Sequence, residues 1–239
     1  MITMKFFSVF VLCTLSITGL YSQTDSKYIA SFIPDALLKD ADAVIREYDV
    51  KFKTRSLNSA KMSVHKVITL LNNQTDYDEL VVYYSSAFGD VGKVSAELYD
   101  KYGKRVKKLR KKDFTDVDAV SYGTLASDSR MTHATLNYND YPYTLVFDYE
   151  INYNCVPYYP NWNIVSDGKT AIQNSSYTLE VGKNMGARYK AYNIDVKPTI
   201  KEEKSEKIYK WTANNILAIN PSGFLTKSDA VYPEVRMEP

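Results

Sequence analysis

Few residues in this chain of 239 have the type and spacing to do chemistry. There are two cysteines and two histidines. Cys13 sits in an apolar leader, so Cys155 is the only candidate thiol nucleophile. Thiol catalysis needs a nearby histidine and is helped by a helix amino terminus that favours the thiolate. Cys155 instead closes an alternating run and precedes Val156-Pro157, which fits a small packed residue. His65 shares a strand parity with Ser63, Val67 and Leu71. His133 stands between Thr132 and Ala134. Neither has the His/Cys/carboxylate spacing that a metal or catalytic centre requires, and no cofactor is implied.

Carboxylates offer a second kind of chemistry. Asp148 and Glu150 lie two apart, on one strand face, and could work as an acid–base pair across a cleft. The same spacing describes the solvated face of an amphipathic strand. Asp113, Asp116 and Asp118 hint at calcium but lack the glycine and terminal glutamate of an EF-hand loop; a solvated loop is the expectation there. Lys104, Arg105, Lys107, Lys108, Arg110, Lys111 and Lys112 form one basic cluster. It could meet an anionic glycan or lipid headgroup, or serve as a lysine-rich edge that discourages sheet-to-sheet aggregation, which is the favoured reading. The aromatics Tyr138, Tyr141, Tyr158, Tyr159 and Trp162, with Tyr143, form the best ligand-site candidate, able to stack on sugars or seat a peptide. No Gly-rich phosphate loop, Ser-His-Asp order or zinc motif is present.

The elements that must position these residues are strands. Over Tyr141–Asn154, Tyr143, Leu145, Phe147, Tyr149, Ile151 and Tyr153 alternate with Thr144, Val146, Asp148, Glu150 and Asn152, the period of a strand with one buried face. The same period runs from Asp42 through Phe52, turns at Leu57-Asn58-Ser59 and returns through Met62, Val64, Ile68 and Leu70, a long hairpin. Leu80–Ser85, Val94–Tyr99, Arg105–Leu109, Met131–Asn137, a run through Tyr177–Val181, Arg188–Ile194, Pro198–Glu202 and Ile208–Thr212 complete the set. Gly103 closes an Asp100–Gly103 turn where positive φ is needed. Residues 113–130 lack periodicity and read as a long loop. The expectation is an all-β protein: an antiparallel β-sandwich of about ten strands with at most a short N-terminal helix near Pro34.

Bulk composition agrees. Hydrophobic content of 45% and 24% charge are ordinary for a globular chain, and 21 tyrosines suit half-buried pleated surfaces. A net charge of +2 gives no field favouring a polyanion. Lys5 followed by Phe6–Gly19 and Ser22 reads as a cleaved secretory signal over residues 1–22. Leu12 before Cys13 argues against a lipid anchor. Export argues against nucleic acid, and no later stretch approaches a transmembrane span. The division expected is signal 1–22, leader 23–41, sandwich 42–220 and, in 221–239, the start of a connection to another module.

Three pieces carry a resemblance: Asp40-Ala-Asp-Ala-Val-Ile45; Tyr99-Asp-Lys-Tyr-Gly-Lys-Arg-Val106 ahead of Lys112-Asp-Phe114; and Tyr143-Thr-Leu-Val-Phe-Asp-Tyr-Glu150 followed by Tyr209-Lys-Trp-Thr-Ala-Asn-Asn215. Their order resembles the uncharacterised domain that precedes a transglutaminase-like core in many exported bacterial proteins, especially of Bacteroidetes, over roughly residues 40–220. The resemblance implies a β-sandwich accessory domain, with a catalytic Cys-His-Asp set further along in longer relatives that has no counterpart here. It also implies a Gram-negative periplasm, with surface exposure or secretion as alternatives. The leading expectation is therefore a non-catalytic domain that docks or presents substrate to a transglutaminase- or protease-like module. A stand-alone binder of cell-envelope glycan or peptide is the alternative, and a Cys155-dependent hydrolase or acyltransferase the third.

Overall fold

A computed structural model describes residues 25–119, 128–165, 167–219 and 232–239. The expected signal segment, with Cys13, lies outside the described residues. The strands are β1 (Ala43–Ser56), β2 (Ser59–Leu70), β3 (Glu79–Ser85), β4 (Gly89–Tyr99), β5 (Arg105–Arg110), β6 (Thr115–Asp118) and β7 (Ser129–Thr135), followed by β8 (Tyr143–Tyr153), β9 (Trp162–Asn163), β10 (Thr170–Gly182), β11 (Arg188–Tyr192), β12 (Thr199–Glu202), β13 (Glu206–Ile216) and β14 (Glu234–Glu238). The longest helix among the described residues is a single turn, α1 (Asp35–Leu38), opened by Pro34. The all-β sandwich expected from the alternation is present, with more strands than the ten that periodicity makes visible.

Among the described residues, eight strands form one sheet in the order β12-β13-β10-β1-β2-β8-β4-β5, and two three-stranded sheets, β11-β14-β9 and β3-β7-β6, lie beside it. Trp162 of β9 meets Tyr177 of β10, and Tyr189 of β11 meets Tyr209 and Trp211 of β13, so the first small sheet covers β10 and β13. Leu80 and Val82 of β3 join the same core, and Phe114 stacks on Phe147 beneath the second small sheet. Trp162, Trp211, Tyr143, Tyr159 and Tyr177 are all fully buried. Each such ring buries a large apolar area between the layers.

Among the described residues the pairing departs from the wholly antiparallel expectation at one place: β1 runs parallel to β10, with Val50 opposite Tyr177 and Phe52 opposite Leu179. A parallel pair needs a long crossover, here everything from β2 to β9. Of the expected loop 113–130, residues 120–127 lie outside the described residues, and the described ends hold strand structure. Thr115–Asp118 is a strand paired with β7, whose Ser129 and Arg130 fall within the same expected loop. Its sequence, TDVD, carries carboxylates that satisfy Arg130 instead of an apolar stripe, so periodicity does not reveal it. Within the expected connection 221–239, of which residues 221–231 lie outside the described residues, Glu234–Glu238 forms strand β14, paired with β11 and β9, with Val235 and Met237 in the core.

Both faces of the large sheet are partly covered. The chain before β1 lies on the outer face, where Tyr28 packs on Tyr99, Val67 and Val146, and Ile33 and Leu37 pack on Val44 and Ala171. This is why Thr144 and Val146, on the expected polar parity of β8, are buried. The backbone N–H of Asp25 donates to Gly103 O at 2.9 Å. Gly103 has φ of +76° and faces Asp25 O so closely that a Cβ would sit 2.4 Å away.

Candidate functional site

The candidate aromatics do not form one site. Trp162 is fully buried, with its indole Nε1–H donating to Ser175 Oγ at 3.2 Å. Tyr159 is likewise buried, its hydroxyl donating to Gly186 O at 3.2 Å. Both are core, a correction to the expected stacking platform: a sugar cannot reach a ring that the sheets already cover. Tyr138 and Tyr141 pack against Tyr143 at ring separations of 5.8 and 5.0 Å, at the start of β8. Tyr158 is well exposed but lies past the other end of that eleven-residue strand, about 33 Å away at strand rise. It borders a small cavity of about 110 Å³ with Phe52, Tyr153 and Cys155, and among the described residues no histidine lines that cavity.

The basic cluster runs from Lys104 through β5, an edge strand of the large sheet, into the helical turn at Lys111 and Lys112. Arg105 and Lys108 pair with Glu97, and Lys111 Nζ donates to the carbonyls of Val91 and Gly92 at 2.6 and 3.0 Å. Lys104, Lys107, Arg110 and Lys112 face solvent or its margin, the arrangement of a charged edge that resists further strand pairing. Asp116 accepts from Thr132, Tyr84 and Arg130, while Asp118 pairs with Arg130 at 2.5 Å. Asp113 accepts from the Arg110 backbone N–H at 2.8 Å. These carboxylates organise β6 and β7. No group of His, Cys, Asp and Glu among the described residues is arranged to hold a metal ion.

His65 Nδ1 lies 2.6 Å from Asp148 Oδ1, and its Nε2 lies 3.4 Å from Glu47, which also takes Lys27 at 2.8 Å. The Asp148 hydrogen bond raises the imidazole pKa above its ordinary value against the lowering effect of burial. With carboxylates at both nitrogens this is an ion-paired histidine on the outer sheet face, in a surface depression that Ser63 and Ser95 also line. Glu150 pairs with Lys61 at 2.8 Å and Lys93 at 3.7 Å, so Asp148 and Glu150 belong to a charged surface. His133 lies on β7, opposite Val81 and Thr115.

A different site stands out on the inner face. Where the two small sheets part, β1, β2 and β8 floor a cleft of about 490 Å³. Leu80, Val81 and Tyr83 of β3 form one wall, and Asn163 and Ile164 the other. On its floor, between Tyr48 and Phe147 in cross-strand register, is Lys66. Its Nζ sits 4.3 Å from the centre of the Tyr77 ring and 6.0 Å from that of Tyr48, close enough for cation–π attraction. Among the described residues no carboxylate or carbonyl hydrogen-bonds this ammonium. Desolvation pushes its pKa down to about 8, only partly opposed by Asp167. Tyr77 is fixed over it by donating to Asp167 Oδ2 at 2.5 Å, and Thr170 Oγ1 donates to the same oxygen at 2.9 Å. Burial also raises the Tyr48 and Tyr149 hydroxyls.

The comparisons with known proteins fit this architecture. The family model described as a domain of unknown function with solved structure, DUF3857, matches residues 57–220. The chain belongs to the DUF3857 family. The family match begins at the β1–β2 turn, so β1, the strand beside Lys66 on the cleft floor, precedes the matched region. A protein from Parabacteroides distasonis described as a "putative protease" has the same fold, with a TM-score of 0.69 at 16% identity. The alignment covers 82% of this chain but only 40% of that one, so the chain spans well under half the length of this neighbour. An M1 zinc metallopeptidase from Deinococcus radiodurans aligns over 83% of this chain and 42% of its own at 11% identity, with a TM-score of 0.38. No curated protein matches the sequence. No helix among the described residues is long and apolar enough to cross a membrane.

Lys66 is absent from the candidates that the sequence offers. A signal exists: it interrupts the apolar parity Met62, Val64, Ile68, Leu70 on a strand where Lys61 and His65 occupy the polar one. Two further members of the site, Tyr77 and Asp167, come from irregular segments far apart in sequence. Only the fold brings them to Lys66.

Proposed function

We propose that this chain is a non-catalytic, exported β-sandwich accessory domain of the DUF3857 family that docks or presents substrate to a protease- or transglutaminase-like module. The observation that carries the reading is the likeness, at TM-score 0.69, to 40% of a longer protein described as a "putative protease". A fold that forms part of a longer chain of that kind suits an accessory role. Two features of the site support it. Cys155 has no histidine in its cavity among the described residues, and His65 is held between carboxylates. The cleft over Lys66 gives such a domain a place to hold something.

The test is the size of the product made from the native locus, measured in a periplasmic fraction. A species far larger than 239 residues, or a stable complex with a separately encoded protease-like protein, is the expected result. A free sandwich found in the cytoplasm would overturn both export and the accessory role.

A further inference from the structure

We infer that the Lys66 cleft binds the C-terminal carboxylate of an extended apolar peptide. The inference deepens the accessory reading and rests on it for the choice of a peptide as the source of the carboxylate. The anionic group is argued from the cleft alone. An ammonium on the floor of a largely apolar cavity, touched by ring faces, acted on by Asp167 from a distance and hydrogen-bonded by no carboxylate among the described residues, is a cation with room for a counter-ion. Cation–π contact steadies the charge but leaves the ammonium's hydrogens without an acceptor.

The rest of the lining states what accompanies the carboxylate. Ile45, Val64, Ile68, Leu80, Phe147 and Ile164 surround the lysine, so the body next to the anion must be apolar. The volume of about 490 Å³ suits a few residues, not a single small ion. At the rim stand Asn163 and Glu79, both exposed, which supply an amide and an acceptor for backbone N–H and C=O groups. The wall strand β3 has one sheet neighbour, β7, among the described residues, and its Leu80 and Val81 both line the cleft although they lie on opposite parities. A strand that presents its edge this way accepts an extended chain beside it. The structure thus provides a charge for the peptide's end, apolar walls for its last side chains and an edge for its backbone.

The experiment is calorimetric titration of the full chain with acetyl-Ala-Ala-Val-Phe carrying a free C-terminus, with the same peptide as its C-terminal amide, and with octanoate. The free acid is expected to bind at least tenfold more tightly than the amide, with octanoate weaker than the peptide acid. Lys66→Met, which removes the charge and keeps an unbranched side chain, should abolish the preference for acid over amide, and Lys66→Arg should retain part of it. Thermal melting checks that both variants fold. The wild-type acid–amide comparison stands even if they do not. Equal binding of acid and amide, or no acid-specific binding at millimolar peptide, would overturn the inference. Octanoate binding as tightly as the peptide acid would replace the peptide with a small apolar acid and overturn it too. None of these failures touches the accessory reading, which is decided by the native product's size and partner.

Discussion

At the residue scale the chain separates two ionisable groups that neighbour each other on one strand. His65 and Lys66 are consecutive, so β2 sends one to each face of the large sheet. On the outer face His65 gains Asp148 and Glu47, with Lys27 beyond Glu47 and Asp49 opposite in register. Its folded pKa is raised, so its ion pairs add stability that is fully present below the unfolded value near 6.5 and is lost as pH rises through the folded pKa. Partial exposure keeps that contribution small. Titration of the His65 ring followed by NMR should give a midpoint above 6.5. Asp148→Asn should bring it back down, because the hydrogen bond that favours the charged ring is gone. An unmoved midpoint would mean that Asp148 is not the cause. On the inner face the same strand gives Lys66 rings instead of carboxylates, and its pKa moves the opposite way.

At the element scale, the segment before β1 acts as a cover for the outer face, pinned at Gly103. Gly103→Ala must place a methyl at positive φ and against Asp25 O. A loss of about 1–2 kcal/mol or more is expected from urea unfolding. Amide exchange should quicken at Ala30, whose N–H donates to Lys101 O beside the same turn. An unchanged urea midpoint would show that the segment does not depend on this turn. Gly103, the β1–β2 hairpin and β8 were all legible in the sequence, because a positive-φ glycine and a sustained period of two are local properties. β6, β9 and β14 were not. They run for four, two and five residues, too short to show a period, and are held by Arg130, by Trp162 and by Val235 with Met237 in contacts remote in sequence. The parallel β1–β10 pair was hidden for a related reason: a strand's own pattern reports its buried face and says nothing about its neighbour. The candidate aromatics failed as a site because tyrosine and tryptophan in strands serve the core and a ligand equally well, and here Tyr159 and Trp162 serve the core.

At the scale of the whole molecule, the cleft is a place where stability is given up. A lysine pushed down to about 8 is less content as an ammonium in the folded chain than in the unfolded one, whose lysine titrates near 10.4. At neutral pH both states are protonated and the folded state carries the full desolvation cost, on the order of 1–3 kcal/mol once the solvent contact at the cleft mouth is allowed for. Between pH 8 and about 9.5 the unfolded chain keeps this proton and the folded chain sheds it, so the Lys66 term makes stability rise with pH. The groups facing Lys66 are Tyr48 from β1, Tyr77 and Asp167 from the neighbouring loops, Glu79 and Tyr83 from β3, and Tyr149 from β8. The buried tyrosines with raised pKa, Tyr48 and Tyr149, act in the opposite sense, but only at and above pH 10, where unfolded tyrosine begins to ionise. Lys66→Met should therefore be more stable than the native chain at pH 7 by urea unfolding, and the gap should narrow by pH 9.5. A variant less stable at pH 7 would mean that the contacts with Tyr48 and Tyr77 outweigh the desolvation, and that the lysine is there to hold the sheets together. A more stable variant would mean that the native chain retains a destabilising charge where two sheets part, which is the signature of a group kept for binding.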